Sequence, residues 1–196
     1  SGTIRRLADK QGDPTAKDGI VGAFCRTYSV EDAIEAFLPD VYIKGENGRY
    51  TYKGGSTSGG LVIYEDGRFA YSHHSTDPTC GKLCNAFDLV RIHMFGKDDE
   101  GKPANTAANN LPSYKNMCKW IETNCESVMK ELQSKQLDYI VQLFGEGDEA
   151  PDMNWVSQLE VNPKTGHAAT TVENIRIIVK NDPRFKGTCL LYTSPS

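Results

Sequence analysis

Apolar residues along this chain recur first in a helical rhythm, then in alternation, then in a helical rhythm again. Gly19 to Thr27 and Val30 to Leu38 show the helical spacing and predict two short helices. Ser29 is placed to cap the second, with Asp32 three residues on as its capping-box partner. Ala33, Ile34, Phe37 and Leu38 then form one apolar face, and Pro39 ends the helix. Beyond it, Tyr42-Ile43 and Tyr50 to Tyr52 flank Glu46-Asn47-Gly48, while Leu61 to Tyr64 and Arg68 to Ser72 flank Glu65-Asp66-Gly67. Both patterns predict hairpins, with Gly67 supplying the positive φ that a tight turn needs. Across the second turn, Leu61 and Ile63 are expected to point inward with Phe69 and Tyr71, beneath Phe87 and Val90.

A polar stretch from His73 to Lys82 separates that hairpin from a helix capped by Asn85, with Ala86, Phe87, Leu89, Val90 and Met94 as its apolar residues. Pro112 to Phe144 is the longest helical stretch, with a break expected near Ser134. Tyr114, Cys118, Ile121, Cys125, Val128 and Leu132 mark an apolar seam in alternating four- and three-residue steps, too short for a coiled coil. Further on, WVSQLEV from Trp155 reads as a strand and Asn162 to Gly166 as a turn. A helix with Thr170 and Glu173 at capping-box spacing follows, stopped by Asn181-Asp182-Pro183. Helices and hairpins in this order predict an α+β fold.

Composition narrows the function classes. The 196 residues are 38% hydrophobic and 24% charged, which suits a polar protein of one or two domains. No apolar run approaches the ~20 residues of a membrane span, and no signal-peptide pattern opens the chain, so no membrane partner is expected. A net charge of -4 argues against a strong nonspecific nucleic-acid binder, which is ordinarily basic. The charge is uneven, with Arg5, Arg6, Lys10 and Lys17 near the start and Glu146, Asp148, Glu149 and Asp152 later, so any DNA contact has to be local. Six cysteines are too few and too scattered for a disulfide scaffold. Buried reduced thiols at Cys25, Cys118 and Cys125 fit a reducing cytoplasm.

Two segments imitate phosphate loops. Lys53 to Gly60 is rich in glycine and serine but lacks the lysine and hydroxyl ending of a P-loop, and reads as a mobile connector. Gly96 to Pro103 matches G-x-x-x-x-G-K, yet Pro103 stands where a hydroxyl should hold magnesium, and three consecutive acids would repel phosphate. It reads as an exposed loop, so no ATPase centre is expected in this chain.

The richest chemistry lies between the second hairpin and its helix. His73, His74, Cys80, Cys84 and His93 supply zinc-ligand types, but no cysteine or histidine lies in Gly45 to Gly60 and the spacing is irregular for a knuckle. The expectation is therefore a zinc-finger-like fold held by hydrogen bonds and packing, with Asp77-Pro78 shaping the loop and Cys84 buried at the helix start. A nuclease built on His73, His74 and Asp77 lacks the convergent carboxylates such chemistry requires, and no catalytic residue is assigned. Recognition remains: Tyr71, His73 and His74 are candidates for stacking on bases, with Lys82 and Arg91 for phosphates. The plain alternative packs Tyr71 on the Phe87 helix and leaves the histidines to hydrogen-bond within the loop.

YSHHSTDP followed by GKLCNAFDLVRIHMFG resembles a segment of the virulence-associated protein E family, phage and prophage replication proteins that look like primase-helicases. GIVGAFCRTYSVEDAIEAFLPDVY upstream and TTVENIRIIVKNDPRFKG downstream carry the same resemblance. It implies template handling on single-stranded DNA and connection between the primase and helicase parts of one polypeptide. A purely structural connector and a zinc module are the alternatives. It also implies an organisation of 1–54 as a helical primase-type module with hairpin, 55–100 as a zinc-finger-like hairpin and helix, 101–150 as helical linker, and 151–187 as the entry to a helicase region. Cys189 to Ser196 resembles a translated sequencing adapter, so the chain is expected to be an internal piece of a longer protein, against the alternative of a natural terminal strand.

Overall fold

The computed structural model of this chain describes residues 2–144, 154–162 and 165–182. The tail from Cys189 lies outside the described residues, as does Pro183. The chain divides into two compact units, 1–132 and 133–196. Its helices are α1 (Gly2–Gln11), α2 (Gly19–Thr27) and α3 (Val30–Phe37), followed by strands β1 (Tyr42–Lys44), β2 (Arg49–Tyr52), β3 (Leu61–Tyr64), β4 (Phe69–Ser72) and β5 (Leu83–Cys84). Then come α4 (Ala86–Phe95), α5 (Pro112–Asn124), α6 (Glu126–Phe144) and α7 (Val172–Asn181). The α+β class is as the sequence pattern indicates.

The five strands form one antiparallel meander in the order β1-β2-β3-β4-β5, so the expected boundary at 54/55 falls between two hydrogen-bonded neighbours of a single sheet. Both tight turns use the left-handed backbone region. Asn47 and Gly48 take positive φ in the first, and Glu65, Asp66 and Gly67 in the second. The second turn also anchors α3, because the Val30 amide donates to the Gly67 carbonyl at 2.8 Å. At that helix start, Ser29 and Asp32 exchange hydrogen bonds as a complete capping box.

Register decides the faces of the sheet differently from the sequence expectation. Leu61 lies opposite Ser72 and Ile63 opposite Ala70, whereas Val62 lies opposite Tyr71 and Tyr64 opposite Phe69. Residues directly opposite share a face, so Leu61 and Ile63 lie on the side away from Phe69 and Tyr71. The four-residue turn shifts the pairing by one position from the anticipated arrangement. Leu61, Ala70, Ser72 and Cys84 are buried, and α4 packs against β4 and β5.

Helix α4 also contacts α2, α3 and α5 and forms the middle of the core. Phe87, Leu89 and Val90 are fully buried, with the Phe87 ring edge-on to Phe24 at 6.0 Å and tilted to Tyr114 at 5.4 Å. Met94, expected on this face, is exposed, and Arg91 takes a buried place instead. The seam from Tyr114 to Leu132 is buried throughout, but the helix breaks at Cys125, between α5 and α6, and not near Ser134.

In the second unit, Trp155, Val156 and Leu159 form a small core with Ala168, Ile177 and Ile178. Residues Asn154–Gln158 form a 3-10 turn in place of the expected strand, leaving only a Val161–Ala168 bridge. The cap of α7 is Thr171, one residue later than anticipated, because its hydroxyl accepts from the Asn174 amide. Asn174 itself is buried, donating to the Glu160 and Ala169 carbonyls and accepting from the Glu160 amide.

Candidate nucleic-acid interface

The loop from His73 to Lys82 folds around one carboxylate. Asp77 accepts hydrogen bonds from the Thr79 amide at 2.8 Å, the Thr79 hydroxyl at 2.7 Å and the Tyr42 hydroxyl at 2.8 Å. His93 Nε2 lies 2.7 Å from the Tyr42 oxygen and 3.4 Å from Asp77 Oδ1. Since the tyrosine proton is given to Asp77, His93 Nε2 carries a proton and donates to the phenol oxygen. Burial alone would raise the Asp77 carboxyl, but bonds from His93 and Thr79 outweigh it and hold the group well below the ordinary carboxylate range. Burial, joined by the Asp77 charge, pushes the Tyr42 phenol well above its ordinary value. Asp77 thus shapes the loop, as its sequence context indicated. Tyr42 and Thr79, which nothing in the local pattern marks, complete the arrangement.

His74 has a different environment. Its Nε2 accepts from the Thr57 amide at 3.2 Å and its Nδ1 lies 3.0 Å from the Thr76 hydroxyl, with Tyr52 against the ring at 5.9 Å. A side chain on Gly55 would run into this ring, its Cβ colliding with Cε1. Residues 53–60 are thus a folded strap over His74 in place of the mobile connector anticipated. His74 is buried and does not offer its face for stacking.

Arg91 is also withdrawn from the surface. Its guanidinium pairs with Asp88 at 2.9 Å and Asp99 at 3.7 Å and donates to the Ser113 hydroxyl at 2.6 Å. The Ser113 hydroxyl in turn donates to Asp99 at 2.6 Å. A buried guanidinium so enclosed cannot reach phosphate, which corrects its assignment. Asp99 belongs to the acidic run of the Walker-like decoy; there it closes this network in a 3-10 turn spanning Gly96–Asp99.

Three of the five proposed contact residues remain accessible. Tyr71 is half-buried, His73 is exposed, and their rings meet at 4.8 Å on the sheet face away from Leu61. Lys82 is exposed, its ammonium on the Pro78 carbonyl at 3.2 Å. The register extends this face as a row across four strands: Arg49, Val62, Tyr71 and Leu83. Arg49 is exposed and donates to the Gly59 carbonyl at 3.3 Å.

The zinc candidates are separated. Cys80 is exposed, while Cys84 is buried opposite Ala70, and burial pushes its thiol up to about 12. Among the described residues no three His, Cys, Asp or Glu side chains gather as metal ligands. His73, His74 and Asp77 likewise enter three different environments, so the nuclease constellation does not assemble. No helix among the described residues is long and apolar enough to cross a membrane. Comparison with family models, curated proteins and solved structures finds no match to this chain.

Proposed function

We propose that the first unit handles single-stranded DNA through the accessible part of the Tyr71 face of its sheet, as a template-handling and connecting segment of a primase-helicase-like replication protein. The observation that carries this reading is the Tyr71–His73 ring pair, accessible on a sheet face. Rings presented in this way stack on unpaired bases, whose π-faces are hidden in a duplex. The family role is supported by the sequence resemblance. Zinc has no part in this reading.

Fluorescence anisotropy of the full chain with labelled oligodeoxythymidylate tests it. Binding should be weak and salt-sensitive. Replacing Tyr71 and His73 by alanine should weaken it by about 1–3 kcal/mol per lost stack, at low and high salt alike. An unlabelled duplex should compete poorly; oligouridylate that outcompetes the DNA would replace DNA by RNA as the ligand. No binding by the wild type at low salt would leave a purely structural connector. That second reading is favoured by the internal commitment of Asp77, His74 and Arg91.

A further inference from the structure

We infer that Arg49 is the phosphate-binding residue of this surface and that the polynucleotide runs across the strands, from β5 toward β2. The inference rests on the single-strand reading above and adds its direction and its principal cation. Arg91, whose sequence position suggested that role, is enclosed by Asp88 and Asp99. Arg49 is exposed and has no acidic partner among the described residues. One of its nitrogens is held by the Gly59 carbonyl, and a guanidinium has five N–H donors, so others remain for a phosphate.

Placement supports the same assignment. Arg49, Val62, Tyr71 and Leu83 form one cross-strand row, so Arg49 and Leu83 are three strand spacings apart, about 14 Å. The Arg49 guanidinium and the His73 amide bind the neighbouring carbonyls of Gly59 and Gly60, which tethers the cation and the aromatic pair to the same turn of chain. Charge runs the same way. None of the five strands contains an acidic residue. At the sheet end bearing His73, 53–60 contains no acid, 73–82 only the buried Asp77, and the residues leading into β1 the exposed Asp40, which lies 3.8 Å from Lys53. The opposite connections carry Glu46, Glu65 and Asp66, all exposed, together with Arg68, which pairs with Asp13 and Glu65. A polyanion is therefore favoured along the acid-free strands, where Arg49 is the exposed cation in the cross-strand row with Tyr71.

Anisotropy titrations of the full chain against oligodeoxythymidylate at several salt concentrations test this. Arg49→Gln should weaken binding roughly three- to tenfold and reduce the salt slope by about 0.7, the loss of one single-strand phosphate contact. Arg49→Lys should keep the slope. Arg68→Gln, at the acidic end of the sheet, should change neither, and circular dichroism should show all three variants folded. Unchanged affinity and slope in Arg49→Gln, with binding still weakened in Tyr71→Ala, overturns the Arg49 assignment while the single-strand reading stands. An equal loss in Arg68→Gln overturns it too, since net charge would then explain the effect. A wild type that does not bind overturns both.

Discussion

Replacing Asp77 by alanine removes the acceptor on which the loop between β4 and β5 is folded. Three short hydrogen bonds end on this carboxylate, at 2.7, 2.8 and 2.8 Å, with His93 a longer fourth contact at 3.4 Å. A hydrogen bond to a charged group contributes about 1.5–3 kcal/mol, so the three set an upper bound of roughly 4.5–9 kcal/mol. The variant also escapes the desolvation of a buried charge, which lowers the net loss to about 3–5 kcal/mol. That is a large share of an ordinary domain's 5–15 kcal/mol or so. Urea unfolding followed by Trp120 fluorescence measures it, with Trp155→Phe silencing the second unit. Asp77→Asn should lose less, because its amide oxygen still accepts from Thr79. The pH dependence follows from the lowered carboxyl. A folded value below the unfolded one of about 3.9 gives stability that is present above about pH 4 and lost as pH falls further. The gap between wild type and Asp77→Ala should therefore be constant from pH 5 to pH 8, roughly, and narrow below about pH 4. A loss under about 1 kcal/mol, or a gap that widens in acid, would refute the role given to Asp77.

Phe87→Ala should destabilise the first unit by about 3–5 kcal/mol, since the ring is fully buried between Phe24 and Tyr114; a loss of surface size, below about 1 kcal/mol, would show that α4 is not central to the core. Gly55→Ala should displace the strap from His74, seen as shifted His74 imidazole resonances and faster amide exchange at Thr57, and an unchanged spectrum would contradict the close approach. Peptide mapping after brief alkylation at pH 8 should find Cys80 modified but Cys25 and Cys84 protected, because burial pushes those two thiols up to about 11 and about 12; rapid labelling of either would place it outside the core.

Local signals were the legible part of this fold. The α3 capping box, the Asn85 cap and both hairpin turns involve residues at most a few positions apart, and their chemistry acts within that range. Core positions set by helical spacing, Phe87 and the seam from Tyr114 to Leu132, were legible for the same reason. The helix break at Cys125 was not, because no proline or glycine marks it. α1 and β5 also escaped: α1 carries a weak apolar pattern in a charged segment, and β5 is two residues long and exists only through its pairing with β4.

The candidate site shows the same division more sharply. The sequence by itself determined which side chains are available around the second hairpin, because Tyr71, His73, His74, Asp77, Lys82 and Arg91 are fixed in composition and spacing. It also determined that Asp77 would sit in a turn, since Asp-Pro shapes a loop by local geometry. Only the tertiary structure decided which of them face outward. His74 and Arg91 are polar and cationic by type, yet one is covered by a glycine strap from 17 residues upstream and the other is paired with Asp99 and Ser113 from beyond its helix. Arg49 enters the row with Tyr71 only because β2 pairs with β3 and β3 with β4 in a particular register. A one-residue slip would send those side chains to the other face, and register is set by long-range pairing and burial.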